Sequence, residues 1–135
     1  MQKNMEEQTP PAKILLAKTA LDGHWRGINV VGRALRDAGF EIILVGMAQA
    51  EEIVNAALTE DVDLIGLNMG GRIEVVERIL EQLAAAELDV PVFAGGTISP
   101  KNCRLLAEKG IETFPPGSSL HDIVAAAERL TKGTF

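Results

Sequence analysis

The sequence predicts an α/β fold built on a parallel sheet, and three observations support this. Short apolar runs alternate five times with segments of helical character along the 135 residues. The runs are unbroken, as is typical of strands that are buried on both faces. Glycine and polar residues follow the ends of the runs, where connections form. This alternation indicates a sheet covered by helices on both faces, with right-handed crossovers.

The apolar runs predict five strands, at 13–17, 40–45, 62–67, 90–94 and 111–114. Helices are predicted between and after them, at 28–38, 51–58, 73–86, 100–109 and 120–130. In the first helix Val31, Leu35 and Ala38 recur at helical spacing, and Gly39 is a plausible stop. Five strand–helix units in this length suit the flavodoxin-like strand order 2-1-3-4-5, a doubly wound sheet.

The chain is expected to form one domain, at 12–135, after a short flexible lead-in at 1–11 that ends in two prolines. A net charge of −6 argues against nucleic acid and anionic membranes as partners. The single cysteine, Cys103, excludes an internal disulfide, and no apolar run approaches the ~20 residues of a membrane span. We therefore expect a cytoplasmic protein.

Glycine is concentrated in the segments after the strands, at 18–27, 68–72, 95–99 and 115–119. In open parallel sheets, ligands bind outside the carboxyl ends of the strands. Several glycine-containing loops on that edge indicate a slot lined by main chain, because glycine leaves room for another group. Ordinary turn chemistry is the alternative explanation for each loop taken singly.

His24 is the sharpest feature on that edge, with Asp22 two residues before it. A metal-bound imidazole usually donates its other N–H to a carboxylate. A solvated polar pair is the plainer alternative. The only other histidine is His121, so a zinc site with three or four ligands cannot be assembled. A single histidine suffices when a macrocycle already holds the metal, which points to a tetrapyrrole or a corrin.

The hexapeptide 22–27 resembles the Asp-x-His-x-x-Gly motif of cobalamin-binding domains, and the stretch 17–27 resembles their methylmalonyl-CoA mutase branch. Two further landmarks of that family match after the fourth and fifth strands, and the resemblance covers about residues 12–131. The cobalamin-contacting residues that it implies are Lys18, Asp22, Gly23, His24, Trp25, Arg26, Gly27, Asn68, Met69, Gly70, Gly95, Gly96, Pro116, Gly117 and Ser118.

The resemblance implies that the dimethylbenzimidazole base of cobalamin leaves the cobalt and is buried with its nucleotide tail beside the sheet. His24 would replace it as the cobalt ligand, with Asp22 and then Lys18 behind the imidazole. Gly95, Gly96 and Gly117 would line the slot for the tail. Lys18 has an alternative interpretation, as a solvated lysine at the end of a strand.

The sequence departs from the family pattern after the third strand. Asn68-Met69-Gly70 stands where a Ser-x-Leu motif is usual. Asparagine can still donate to a base, but the missing leucine alters the slot wall. Ala20 replaces a frequent glycine, and Trp25 stands where an acidic residue is common. Trp25 is therefore a candidate for contact with the corrin or with a partner subunit.

The resemblance implies the small subunit of an adenosylcobalamin-dependent acyl-CoA mutase, which catalyses a radical carbon-skeleton rearrangement. A large TIM-barrel subunit would bind the acyl-CoA, and this chain alone would not be catalytic. The alternative is a non-enzymatic cobalamin carrier, chaperone or sensor. Corrinoid methyl carriers usually have an N-terminal helical cap, for which 1–11 is too short.

Three other classes share the predicted fold. A receiver domain would need acidic residues where Lys18 and Asn68 stand, and a flavodoxin would usually flank its flavin with aromatic residues. A dinucleotide-binding domain would need G-x-G-x-x-G after the first strand, and that motif is absent.

Overall fold

The computed structural model describes residues 11–19, 25–70 and 72–132. Its five strands are β1 (Lys13–Lys18), β2 (Glu41–Met47), β3 (Leu64–Met69), β4 (Val92–Gly96) and β5 (Glu112–Phe114). They form one parallel sheet in the order β2-β1-β3-β4-β5. The predicted fold class and strand order are confirmed.

The helices are α1 (Trp25–Asp37), α2 (Ala50–Glu60), α3 (Ile73–Ala85), α4 (Pro100–Glu108) and α5 (Leu120–Lys132). Helix α4 begins at a proline, and Ser99 before it accepts a hydrogen bond from the backbone N–H of Asn102. Gly39 and Gly110, which follow α1 and α4, adopt positive φ angles of 104° and 85°. Both glycines therefore end their helices, as predicted for Gly39.

The predicted boundaries are wrong at the carboxyl ends of four strands. β1 extends to Lys18, β2 to Met47, β3 to Met69 and β4 to Gly96, so residues predicted to lie in loops belong to the sheet. Asn68 pairs with Gly95 in the ladder, and Met69 pairs with Gly96. Glycine and asparagine are poor strand formers in isolation, but pairing with neighbouring strands overrides that local preference. Helix α1 also begins earlier than predicted, at Trp25.

The sheet separates two hydrophobic cores. Helices α1 and α5 pack over one face, against Ile14, Leu16 and Phe93. Helices α2, α3 and α4 pack over the other face, where Leu15 and Ala17 alternate with the first set along β1. Burial on both faces explains the unbroken apolar runs in the sequence. Within the described ranges, no helix is long and apolar enough to cross a membrane.

Candidate functional site

A cavity of about 520 Å³ lies between the sheet and helices α1 and α5, at the carboxyl ends of the strands. This volume is in the range of small-molecule sites. We call this cavity the slot. The predicted site residues that it brings together are Gly27, Asn68, Met69, Gly95, Gly96, Pro116, Gly117 and Ser118. Gly70 and Lys18 are not among its lining residues.

Two glycines lie in the sheet beneath the slot. Gly66 pairs with Leu16 on one side and with Phe93 on the other. A Cβ at Gly66 would clash with the Phe93 ring and lie 2.7 Å from Cδ2 of Leu16, so these two side chains lie over the β3 backbone. Gly95 lies two residues after Phe93 on β4. A Cβ at Gly95 would lie only 3.4 Å from the Phe114 carbonyl oxygen. Gly66 therefore lets Leu16 and Phe93 cover the β3 backbone and form the floor of the slot, and Gly95 adds no side chain to it.

The other two predicted slot glycines are required for different reasons. Gly96 has a φ of +118°, and a Cβ there would overlap the Met69 carbonyl, so it permits the end of β4 to pack against β3. Gly117 has a φ of +94°, and a Cβ there would meet nothing within 4 Å. Gly117 is thus required for the backbone conformation of the loop after β5, and not because a side chain there would lack space.

The lining of the slot is mainly apolar. Its side walls come from residues of α1 and α5, including Ile28, Val31 and Ile123. The rings of Phe93 and Phe114 meet edge to face, with centroids 5.7 Å apart and planes inclined at 82°. None of the described lining side chains is titratable. Its apolar and aromatic lining therefore suits an aromatic group, and the described lining side chains include no titratable acid or base.

Asn68 is a half-buried polar residue at the slot. Its Nδ2 atom lies 3.9 Å from the point where a Cβ on Gly27 would stand, so the carboxamide faces the start of α1. The hydroxyl of Ser118 donates to the Pro115 carbonyl oxygen at 2.7 Å, and Thr97 is exposed. Asn68 is thus the best-placed polar group for a ligand in the slot.

Lys18 is buried, with 1% of its surface exposed, so the interpretation as a solvated lysine is wrong. It stands beside Asn68 in the β1–β3 ladder. On its other side the β1–β2 register shifts, since Ala17 pairs with Val45 but Lys18 pairs with Met47. Such bulges often re-aim a side chain next to functional sites.

Thr19 fixes the point where the chain leaves β1. Its backbone N–H and its hydroxyl both donate to the Asn68 carbonyl oxygen. The segment after β1 therefore starts beside the mouth of the slot. The predicted metal ligand His24, with Asp22 and Gly23, lies outside the described residues. Trp25 and Arg26 form the first turn of α1, and their side chains are likewise outside the described part.

The remaining candidate metal ligands do not converge. His121 is exposed in the first turn of α5, and Cys103 is half-buried in α4, where its Sγ lies 3.9 Å from the Ile98 carbonyl oxygen. In the parts of the chain that the structure describes, no three His, Cys, Asp or Glu side chains gather as a metal site.

A second cavity, of about 560 Å³, lies near the carboxyl end of β2 and is lined by residues of α2 and α3. Arg78 forms an ion pair with Glu51 at 2.7 Å at this cavity, and Gln82 donates to the same carboxylate oxygen at 3.3 Å. Thr19 also contributes to its lining. Thr19, which holds the start of the segment after β1, therefore lies between the mainly apolar slot and this second cavity with its charged side chains.

Sequence reasoning missed several residues that line the slot, namely Leu16, Ile28, Val31, Gly66, Phe93, Phe114 and Ile123. Their apolar character identified them only as core residues. One signal was present in the sequence, because an isolated glycine such as Gly66 within an apolar strand often marks a close approach of another group.

Residues 12–129 match the family model described as B12 binding domain. The chain belongs to the B12-binding domain family. The 2-hydroxyisobutanoyl-CoA mutase small subunit of Aquincola tertiaricarbonis is 36% identical over 134 residues, which cover 89% of this chain and 96% of that protein. The pivalyl-CoA mutase small subunit of Xanthobacter autotrophicus is 36% identical over 126 residues, covering 90% and 85%. Methylmalonyl-CoA mutase of Escherichia coli is 34% identical, but the match covers only 16% of that protein.

Solved structures agree with this membership. A cobalamin-binding protein from Desulfitobacterium hafniense superposes with a TM-score of 0.74 at 25% identity, over 89% of this chain and 59% of that one. The receiver domain of a Francisella response regulator has a TM-score of 0.73 at 16% identity over 92% of this chain and 99% of that one. The receiver likeness shows only the shared fold.

Proposed function

We propose that this chain is the cobalamin-carrying small subunit of an adenosylcobalamin-dependent acyl-CoA mutase. The observation that carries the proposal is the slot, because its apolar floor over Gly66, its apolar walls and the missing side chain at Gly95 suit the flat base of a cobalamin tail. The slot occurs in a B12-binding domain whose relatives include two small subunits of CoA mutases.

The slot residues would hold the cofactor and exclude water, without a chemical step of their own. Ile28, Val31 and Phe93 would pack against the base, and Asn68 would donate to it. The radical chemistry would be supplied by adenosylcobalamin when it is bound. The chain would therefore contribute binding and orientation, as is usual for cofactors that carry the difficult chemistry.

We place His24 on the cobalt, with Asp22 and Lys18 in sequence behind its imidazole. Two observations support this placement. The double hydrogen bond of Thr19 starts the segment that carries His24 at the mouth of the slot. Lys18 is buried at the end of β1, where a hydrogen-bonded chain behind a metal ligand would be shielded from water.

The partner in this proposal is a large TIM-barrel subunit that binds the acyl-CoA, and the assembly is cytoplasmic. Two relatives are named small subunits, and the methylmalonyl-CoA mutases contain the matched region as about a sixth of their length. The described residues form one sheet with its helices, and no second unit for an acyl-CoA substrate is found among them. Nucleic acid and membranes are not partners in the proposal.

A second candidate function is a non-enzymatic cobalamin carrier, chaperone or sensor. The likeness to the Desulfitobacterium cobalamin-binding protein favours it. A mutase subunit should form a stable complex with a large mutase subunit and confer activity on it, whereas a carrier should bind cobalamin without either effect.

Electron paramagnetic resonance of the Co(II) form tests the proposal. The purified chain is reconstituted with cobalamin and reduced, once with natural nitrogen and once with nitrogen-15 in the protein. We expect the superhyperfine splitting to change on labelling, and His24→Ala to abolish this change. His121→Ala is the matched control, since it removes an exposed histidine of α5. A superhyperfine splitting that does not change on labelling would show that the cofactor's own base stays on the cobalt. That result would contradict the mutase proposal.

A further inference from the structure

We propose that the slot selects the lower base of the cofactor, accepting 5,6-dimethylbenzimidazole and rejecting adenine, with Asn68 as the specificity-determining polar contact. This inference rests on the proposed function, because it assumes that the nucleotide tail enters the slot. It concerns which corrinoid the chain binds.

The floor of the slot has no side chain that could form a hydrogen bond with a polar edge of a base. Leu16 and Phe93 extend over Gly66, and all three residues are buried. Gly66 lies two residues before Asn68 on β3, so the floor is one pleat deeper than the carboxamide, about 7 Å along the strand. A base that reaches the floor meets only hydrocarbon and an aromatic ring.

The side walls extend the apolar surface. Ile28 and Ile123 are buried, and Val31 is half-buried. The hydroxyl of Ser118 is already bonded to the Pro115 carbonyl oxygen, and Thr97 is at the exposed rim. Of the polar side chains in the described lining, Asn68 is therefore the one placed to serve a buried base.

The structure holds Asn68 firmly in this position. Its backbone is paired with Lys18 on one side and with Gly95 on the other. Its carbonyl oxygen accepts both hydrogen bonds of Thr19. The carboxamide faces Gly27, which has no side chain to cover it. One N–H can thus point into the slot while the carboxamide oxygen, in a half-buried residue, stays within reach of water.

The two bases differ in what they require. Dimethylbenzimidazole that has left the cobalt has one free ring nitrogen, an acceptor, and no N–H, and its far edge carries two methyl groups. One donor from Asn68 satisfies it. Adenine in the same place brings an amino group and three ring nitrogens. Buried polar groups without partners are costly, so the apolar floor and walls disfavour adenine.

Binding measurements on the full chain test the inference with three probes. They are adenosylcobalamin, its counterpart with adenine as the lower base, and adenosylcobinamide, which lacks the nucleotide tail. Dissociation constants are measured by equilibrium dialysis. We expect adenosylcobalamin to bind at least about tenfold more tightly than either of the other two.

Variants of Asn68 test its role. Asn68→Leu should weaken adenosylcobalamin binding about five- to tenfold and leave adenosylcobinamide binding unchanged. Asn68→Ser, which keeps a donor, should retain more of the affinity than Asn68→Leu. Asn55→Leu, on the exposed surface of α2, is the matched control and should change neither constant. Thermal unfolding of each variant confirms that it is folded, and Asn68→Ala, which also removes the donor, carries the comparison should Asn68→Leu not fold.

The outcomes separate the inference from the function on which it rests. Equal affinity for the two bases would overturn the selectivity, while cobalamin binding would stand. Unchanged affinity of folded Asn68→Leu for adenosylcobalamin would overturn the role of Asn68. Adenosylcobinamide binding as tightly as adenosylcobalamin would show that the tail lies outside the slot. Absence of binding by all three corrinoids would overturn the proposed function itself.

Discussion

Thr19 donates two hydrogen bonds to a single acceptor, the carbonyl oxygen of Asn68, from its backbone N–H at 2.8 Å and from its hydroxyl at 3.2 Å. The bonds join the first residue after β1 to a residue of β3 that lines the slot. The two hydrogen bonds therefore fix the point where the chain leaves β1 relative to Asn68.

Thr19→Val keeps the shape of this side chain and the backbone hydrogen bond but removes the hydroxyl. We expect it to lower the free energy of unfolding by about 1 kcal/mol, since a part-buried hydrogen bond is lost. Thr19→Ser retains the hydroxyl and should be closer to the wild type. Urea unfolding measures both, and a valine variant as stable as the serine variant would show that the hydroxyl bond contributes nothing.

Gly66→Ala tests the packing beneath the slot. Its Cβ would meet Phe93 and Leu16, so we expect a loss of about 1–3 kcal/mol in the free energy of unfolding. Gly32→Ala is the matched comparison, because a Cβ at that position in α1 is 3.4 Å from the nearest atom, Cδ1 of Leu16. It should be neutral or stabilising, since alanine favours a helix interior. Equal losses for both variants would argue that the Gly66 clash is relieved by movement.

Hydrogen exchange should locate the bound cofactor. Cobalamin is expected to increase amide protection across residues 18–38, which contain the segment after β1 and the α1 residues that line the slot. Helix α3 packs on the opposite face of the sheet, so its amides provide an internal control. Unchanged protection across 18–38, with cobalamin demonstrably bound, would contradict both the expected protection and the placement of the tail.

Stability should depend on pH through Glu51. A hydrogen bond from its own backbone, another from Gln82 and the charge of Arg78 hold the pKa of Glu51 below its ordinary value of 4.5. A lowered pKa in the folded state stabilises the protein above about pH 4.5, and this contribution disappears as the pH falls through the folded pKa. The carboxylate is exposed, so the effect should be small.

Urea midpoints of wild type and Glu51→Gln at several pH values measure this contribution. The difference between the two proteins should be largest near neutrality and should vanish in acid, where Glu51 is protonated. Glu81→Gln removes the same charge from the exposed surface of α3 as a control. A difference that stays constant from neutral to acidic pH would show that the Glu51 charge is not responsible.

The sequence predicts the order and type of every element because each has a strong local signal. The runs around Leu15 and Ile65 are buried on both faces, so their composition alone identifies them as strands. The strand ends were harder to locate, because Asn68, Gly95 and Gly96 enter the sheet only through pairing with their neighbours. Which residues pair across neighbouring strands cannot be predicted from the properties of any single residue.

The sequence predicts where the slot lies but only some of the residues that line it. The sequence predicts Gly95 because it lies in a glycine-containing segment after a strand. Phe93 has the same sequence signature as any core residue, and the isolated Gly66 indicates only that some group approaches the β3 backbone closely. Their part in the slot depends on which residues face each other across β3 and β4, which requires the register.

The slot opens into the hydrophobic core that α1 and α5 form with the sheet, and Leu16, Phe93 and Ile123 belong to both. A base that packs there becomes part of this core, so cofactor binding and folding are thermodynamically linked. At a free cobalamin concentration one hundred times the dissociation constant, this linkage raises the free energy of unfolding by about 2.7 kcal/mol. The melting temperature of the protein would then report how much corrinoid its surroundings supply.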